Sequence, residues 1–279
     1  LRPVADALAQ SPQVVWFDLV SPTRDEEEAV EALIGVDVPT PEEMEEIEDS
    51  SRLYIDGGAT FMTAMLPSRS DSGQPVQVPI TFILAGPRLI TVRYDTIRAF
   101  ETFPARAERI DLGCNSGETV LLALLDAIVE RLADILEACG RDIDTLSHEI
   151  FRRKADGNAR EAPDYQEVLR GVGRQGDVLA HVLSGLVTLE RLVAFHGAVG
   201  AAGKDMRVRL KSLARDTRFL TEHATFLAQK VNFLLDATLG MISIQQNAII
   251  KIFSVAAVIF LPPTLVASIY GMNFDSMPE

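Results

Sequence analysis

Lys251-Ile-Phe-Ser-Val-Ala-Ala-Val-Ile-Phe-Leu-Pro-Pro-Thr-Leu-Val-Ala-Ser-Ile-Tyr-Gly-Met-Asn273 carries no charged side chain from Ile252 to Gly271. That is about the 20 residues needed to cross a hydrocarbon core of ~30 Å. A charge-free run of this length reads as a membrane span rather than a buried core helix. It closes in Tyr-Gly-Met-Asn-Phe and a short acidic tail, residues 275–279. Lys251 at its start fits a cytoplasmic N-terminal side.

Upstream of the span, no stop signal lies between Lys204 and the proline pair Pro262-Pro263. The spacing predicts one helix of about 65 to 70 residues, ~100 Å long at 1.5 Å per residue. Helices of that length pack in bundles or coiled coils. Taken in steps of three and four, one face is small or polar at Asp236, Gly240, Ser243, Asn247, Ser254, Ala257, Thr264 and Ser268. Ile250 and Leu261 interrupt it and Phe253 lies beside it, while the flanks carry Leu239, Ile244, Val255, Val258 and Phe260. Such a stripe turns toward water or toward another helix. If several copies ring an axis it lines a pore; otherwise it is a small-residue packing seam. In the pore reading, Ile250, Phe253 and Leu261 are apolar constrictions that gate by dewetting. Asp236 sets a ring of carboxylates near the cytosolic entry, and Asn273 sets a ring of amide oxygens at the far mouth. Mg2+ sheds water reluctantly, so neutral carbonyl oxygens that grip the hydrated ion suit a filter.

Two further helices precede the long one. Gly117-Glu118-Thr119 opens a helix with apolar positions from Leu121 to Ile150 in alternating steps near three and four. After a polar gap at 154–163, a second runs over about 164–195 with Val168, Val172, Leu179, Val182, Leu186, Leu189 and Val193 inward. Glycines at 197–203 turn the chain. Before residue 113 the pattern is different. A β-branched and aromatic strand at 13–20 leads through Ser21-Pro22-Thr23, read as a cap and first-turn proline, into a helix ending near Ile34. Thr40-Pro41-Glu42-Glu43 is a capping box with proline at N1. Strands are expected at 53–55 with 59–66, at 76–84 and at 89–93. The region reads as an α/β layer domain ending near residue 112.

Several function classes fall away. The 279 residues carry 40 acids against 26 bases, a net charge of −14, which argues against a nucleic-acid partner. Cys114 and Cys139 lack metal-ligand spacing and read as free thiols. Gly171-Val-Gly-Arg-Gln-Gly176 matches a dinucleotide fingerprint, but a polar helical segment precedes it instead of a buried strand, so close helix packing explains it better. The acids at 42–49 alternate with Met44 and Ile47 as a solvated face would. His148, His181, His196 and His223 form no i,i+4 pair. No nucleophile–base arrangement is legible, and no enzyme is expected. The start at Leu1 reads as that of a fragment, and residues 1–13 do not read as a signal peptide.

Ile269-Tyr-Gly-Met-Asn-Phe274, preceded by Phe260-Leu-Pro-x-Thr264 and followed by Met277-Pro-Glu279, resembles the signature of the CorA-type magnesium and cobalt transport proteins. The resemblance extends to Leu234-Leu-Asp236, to Leu124-Leu-Asp-Ala-Ile-Val129 and to Thr40-Pro-Glu-Glu-Met-Glu-Glu-Ile-Glu48. It implies a multi-pass protein of the inner membrane with a cytoplasmic N-terminal domain, assembled as a homopentamer among lipid. The implied fold is an N-terminal α/β cytosolic domain followed by a helical bundle, whose very long stalk helix runs into the first span. Residues 1–112 would be the α/β domain, 113–203 a two-helix segment, 204–251 the stalk, 252–271 the span and 272–279 the start of the outer loop. By position, Gly271, Met272 and Asn273 would form the filter, and Asp236, Gly240, Ser243, Asn247, Ile250, Phe253, Ala257, Leu261, Thr264 and Ser268 would line the pore. Asp275 and Glu279 would be outer-loop acids. Mg2+ or Co2+ would be both cargo and regulator, with no other cofactor.

The chain departs from the family pattern in three places. The second span and basic C-terminus do not follow Glu279, so the piece alone is not expected to transport. Pro263 and Ser268 stand where the family carries an aliphatic residue and a glycine. Ser212 occupies the place of a stalk aspartate that binds regulatory metal, with Asp216 one turn on; Asp216 and Asp95 are the candidates left. The expected activity is passive uptake through a pore that intracellular divalent ions gate. A zinc- or cobalt-selective transporter of the same superfamily is the alternative, and a tail-anchored scaffold the remote one.

Overall fold

The structure, a computed structural model, describes residues 14–69, 75–109, 113–151, 164–199 and 203–271. The described strands are β1 (Trp16–Val20), β2 (Leu53–Asp56), β3 (Ala59–Arg69), β4 (Pro75–Ala85) and β5 (Arg88–Arg93). The helices are α1 (Arg24–Ile34), α2 (Pro41–Glu45), α3 (Asp49–Arg52), α4 (Arg98–Arg109), α5 (Gly117–Phe151), α6 (Tyr165–Val199) and α7 (Lys204–Tyr270). By packing the chain divides into two compact units, Leu1–Asp144 with Gly173–Val231 and Thr145–Val172 with Asn232–Glu279.

In the first unit the strands form one sheet in the order β1-β5-β4-β3-β2. β2 to β5 are an antiparallel meander, and β1 pairs parallel with β5, Phe17 opposite Ile90. Strand alternation sorts the side chains onto two faces. Phe17, Leu19, Phe61, Ile83, Ile90 and Val92 share one face with Val30 of α1 and Met44 of α2. The capping box read from the sequence is present at α2. Thr40 N–H donates to Glu43 Oε2 at 2.8 Å, and Glu43 N–H returns to Thr40 Oγ1 at 3.3 Å. At α1 the cap is Thr23 rather than Ser21, so Pro22 precedes the helix instead of sitting in its first turn. Glu26 Oε2 accepts the Thr23 N–H at 2.9 Å.

The opposite face holds a buried ion pair. The Arg93 guanidinium donates to both Asp18 oxygens, from Nε at 3.1 Å and from Nη2 at 2.8 Å. Thr91 Oγ1 donates to Asp18 at 2.8 Å and accepts from Trp16 Nε1 at 3.0 Å. The Arg93 cation lies 5.0 Å from the centre of the Phe100 ring. Phe100 and Phe103 anchor α4, a helix the sequence pattern did not reveal. Pro104 inside it removes one backbone donor, and burial of Ala99, Phe100 and Phe103 holds the helix regardless. Beyond the short β2, the outer edge of β3 is covered by α6: Met65 N–H donates to Thr188 Oγ1 at 3.1 Å. A Cβ on Gly185 would sit 3.1 Å from the Met65 carbonyl, so this edge contact needs a small residue.

The inward faces expected of α5 and α6 are largely buried. Val168, Val172, Leu179, Val182, Leu186, Leu189 and Val193 are all buried on α6. α7 buries Leu210, Leu213, Thr217, Leu220, Ala224, Leu227 and Val231 in the first unit, then Leu234 and Thr238 in the second. In the second unit Gly171 packs so close to Leu146 that a Cβ would fall 2.8 Å from its Cδ2. The glycine motif is helical, as expected from its context. α7 runs for 67 residues, straight through Pro262 and Pro263. Neither proline can donate, so the carbonyls of Val258 and Ile259 lose their intrahelical bonds. The Thr264 hydroxyl donates to the Phe260 carbonyl at 2.7 Å immediately beside that gap.

Removing the Asp18 charge would leave a buried guanidinium without its carboxylate. Asp18→Asn should destabilise the chain by about 3–5 kcal/mol, the cost of breaking one side of a buried pair. Denaturant unfolding of both proteins checks this; a loss under 1 kcal/mol would contradict the role given to the pair.

Candidate functional site

The stripe read from the sequence lies wholly within the second unit. Asp236, Gly240, Ser243, Asn247, Ile250, Phe253, Ala257, Leu261, Thr264 and Ser268 are all exposed. At about 100° per residue, Asp236 lies roughly 160° around the helix from buried Leu234 and Thr238, so the stripe begins opposite the packed face. Nothing comes within 4 Å of a Cβ built on Gly240. The Ser254 hydroxyl donates to the Ile250 carbonyl at 2.8 Å, as Thr264 does to Phe260. These hydroxyls are bonded to their own helix, and their remaining lone pairs are free to accept.

The flanks of the stripe are apolar and uncovered. Val258 is 73% exposed, Ile252 69% and Phe260 68%. Such a contiguous surface marks contact with protein or lipid. Among the described residues two helices, α6 and α7, are long and apolar enough to cross a membrane. Val182, Leu186 and Leu192 of α6 are fully buried and 39% of its apolar stretch is covered by the chain, whereas none of the apolar stretch of α7 is buried. Gly271 ends α7, its N–H donating to the Ala267 carbonyl at 2.9 Å. Met272, Asn273, Asp275 and Glu279 lie outside the described residues.

The two candidate regulatory acids sit in the first unit in different settings. Asp95 Oδ1 accepts the Thr96 N–H at 2.7 Å and the Ser68 hydroxyl at 3.4 Å, and its carbonyl accepts from Arg93 at 2.8 Å. Asp216 lines a cleft of about 200 Å3 with Arg106, Asp126, Glu130 and Arg209. The Asp126 carboxyl is held above its ordinary value by burial, and Arg209, 3.1 Å away, opposes that shift. Arg106 pairs with Glu130. Sequence reading singled out Asp216 but not Asp126 or Glu130. Asp126 stood inside the quoted Leu-Leu-Asp-Ala-Ile-Val run, where its packing against α7 could not be seen. Among the described residues no three His, Cys, Asp or Glu side chains are placed to hold a metal within one chain.

The sequence also gave no sign of a buried pair between α5 and α6. His196, only 5% exposed, brings Nε2 to 3.4 Å from Glu118 Oε1. Burial holds the imidazole below its ordinary value of 6.5, with the nearby Glu118 carboxylate pulling the other way. Cys139 is likewise pushed up to about 11 by burial, with Asp142 adding to it, which keeps it a neutral thiol.

The sequence model of a family described as CorA-like Mg2+ transporter protein matches residues 11–279. The chain belongs to this family. It is 35% identical over 273 residues to a magnesium transport protein CorA of Pasteurella multocida, covering 97% of this chain and 84% of that one. It is 34% identical over 265 residues to one of Escherichia coli K12, covering 95% and 82%. The complete structure of the CorA magnesium transporter from Methanocaldococcus jannaschii superposes with a TM-score of 0.72 at 17% identity, over 95% of this chain and 82% of that one. The soluble domain from the same organism gives 0.68 at 16% identity, over 82% and 88%. These likenesses establish the fold expected from sequence: an α/β domain, then long helices ending in an apolar span. Members of the family are ion transporters and not enzymes.

The depressed His196 value carries a sign for stability. As pH falls, the unfolded chain takes up this proton first, so stability should drop as pH falls below about 6.5. His196→Gln should flatten that part of the curve. Melting temperatures between pH 7.5 and 5.5 test this; parallel curves for the two proteins would exclude His196 as the source.

Proposed function

We propose that the chain is a subunit of a homopentameric divalent-cation channel that admits Mg2+, and Co2+ with it, into the cytoplasm. The observation that carries this reading is one helix face. The stripe from Asp236 to Ser268 is polar or small, exposed and flanked by uncovered apolar side chains, in a chain of the CorA family. A lone span cannot enclose water. Copies arranged about an axis can, with the greasy flanks turned to lipid and to one another and the stripe turned inward.

In this reading Asp236 attracts cations at the cytoplasmic end, and Ile250, Phe253 and Leu261 are the dewetting constrictions. Asn247 and Thr264 offer neutral oxygens on either side of them. Gly271, Met272 and Asn273 select the ion at the outer mouth by holding its hydration shell, and Asp275 and Glu279 concentrate cations there. The energy is the membrane potential, ~2.3 kcal/mol per charge per 100 mV and twice that for a divalent ion. We further propose that intracellular divalent ions close the pore by bridging acids of adjacent subunits, with Asp216 and its cleft neighbours as the first candidates and Asp95 as the second. The protein sits in the inner membrane with the α/β domain in the cytoplasm, crossing it more than once.

Substitution at the filter tests the reading. In full-length protein reconstituted into vesicles, Asn273→Ala should lower Mg2+ influx at least tenfold while leaving the amount of inserted protein unchanged. Influx equal to that of the parent would contradict the assigned filter. Zinc influx indifferent to excess Mg2+ would point to a different cargo.

A further inference from the structure

Where α7 passes Pro262 and Pro263 it loses two consecutive backbone bonds. The carbonyls left over belong to Val258 and Ile259, and both residues are exposed. One hydroxyl lies close by, that of Thr264, and it is already engaged: it donates to the Phe260 carbonyl at 2.7 Å. The residue four on from Phe260 is Thr264 and not a proline, so that carbonyl had lost nothing. Two acceptors are therefore left without a partner among the described residues. Their depth matters. Val258 follows Lys251 by seven residues, about 10 Å into the apolar stretch, and Gly271 lies about 20 Å further on. A carbonyl without a donor is costly at that depth, because hydrocarbon offers none. Their direction matters as much. At about 100° per residue, Val258 lies roughly 60° to 120° around the helix from Ala257, Leu261 and Thr264, and Ile259 roughly 140° to 160°. The gap stands at the height of Thr264 but opens on the flank and back of the helix, away from the stripe.

We infer that side-chain N–H or O–H groups on a second membrane span of the same protein, different in sequence from α7, donate to the Val258 and Ile259 carbonyls. The inference rests on the reading above of a protein that crosses the membrane more than once, and it names a polar contact that fixes one span against the other. The other occupants fail on chemistry. Acyl chains carry no donor. Water in the channel reading follows the stripe, which lies on a different side of the helix. A second copy of α7 at the same height offers nothing either. From Val255 to Val266 its only side chain with an N–H or O–H is Thr264, whose proton is on the Phe260 carbonyl. Length allows a further span. The 273 matched residues are 84% of the Pasteurella multocida relative, so roughly 50 residues of that protein lie outside the match, room for one more crossing of about 20. A donor at a proline gap also sets register. Only a span whose polar side chain stands at this depth meets the two acceptors, whereas apolar packing against Val258 and Ile259 would tolerate many heights.

Photo-cross-linking in the full-length membrane protein tests the contact. Benzoylphenylalanine is placed at Ile259, or at Val258 in a second variant, and the adduct formed on irradiation is located by mass spectrometry. The expected adduct lies on a span outside residues 204–279, with a hydroxyl, amide, indole or cationic side chain within one turn of the captured residue. Adducts on lipid alone, on α7 of another copy, or on a span without such a donor overturn the inference. A second step asks whether the donor acts through the carbonyls. Replacing it with an apolar side chain of similar size should lower the melting temperature of the parent in detergent. In protein carrying Pro262→Ala and Pro263→Ala, the restored N–H groups close both bonds within α7, so most of that loss should vanish. An equal loss in both proteins overturns the inference, since the donor then serves some other group. Pro263→Ala alone, which restores the Ile259 bond, gives the same comparison if the double variant does not insert. Mg2+ influx of the parent separates this contact from the channel reading. A conducting parent that cross-links only to lipid sinks the contact alone, whereas a parent that cross-links to a donor-bearing span but passes no Mg2+ keeps the contact and sinks the channel.

Discussion

One helix that must satisfy two solvents sets the terms for the rest of this molecule. α7 continues for 67 residues without a break. Its first half is amphipathic in the ordinary sense, with a buried line from Leu210 to Leu234 and charged residues such as Lys211, Arg215 and Arg218 opposite. Its last third has no buried residue at all. Water is a poor solvent for that part: side chains from Ile252 to Tyr270 would expose a long surface that is apolar everywhere but along the stripe. Hydrocarbon suits it, provided the backbone bonds to itself, and an α-helix does so. The exceptions are the carbonyls freed by Pro262 and Pro263, and these fall where Thr264 and the stripe bring polar atoms to the helix surface.

The soluble part answers a different constraint, the burial of a sheet with two packed faces. One face is mainly apolar and also carries the buried Thr63 and Thr81 hydroxyls, 2.8 Å apart. The other encloses Asp18 and Arg93, whose bidentate pairing, threonine bond and aromatic cover together offset the cost of taking two charges out of water. The same arginine holds the Asp95 carbonyl, so the turn after β5 is fixed by the pair beneath it. Where β3 outruns β2, the side chain of Thr188 does what a further strand would have done, and Gly185 lets α6 come close enough.

Much of this was legible in the residues. Strand alternation, the Thr40–Glu43 box and the inward lines of α5 and α6 are local patterns, and local patterns survive folding. What escaped was set by tertiary contact. α4 was hidden because Pro104 speaks against a helix that only the packing of Phe100 and Phe103 sustains. The His196–Glu118 and Asp126–Arg209 pairs join residues distant in sequence, and no spacing rule anticipates them. The stripe was readable as a face, because helical period alone fixes it. Whether that face meets water or another helix depends on neighbouring copies, which no single chain contains. Met272 and Asn273, proposed above for the filter, lie outside the described residues and rest on their motif.

The family membership and the exposed stripe together make a passive, potential-driven path for a divalent cation the central claim. The most direct test is Mg2+ entry into vesicles containing only the purified full-length protein, at a series of imposed potentials and with no other gradient or nucleotide. Influx should rise steeply as the interior is made more negative and stop when the electrochemical gradient of Mg2+ is zero. Influx independent of potential, or uphill movement driven by a proton gradient, would contradict it.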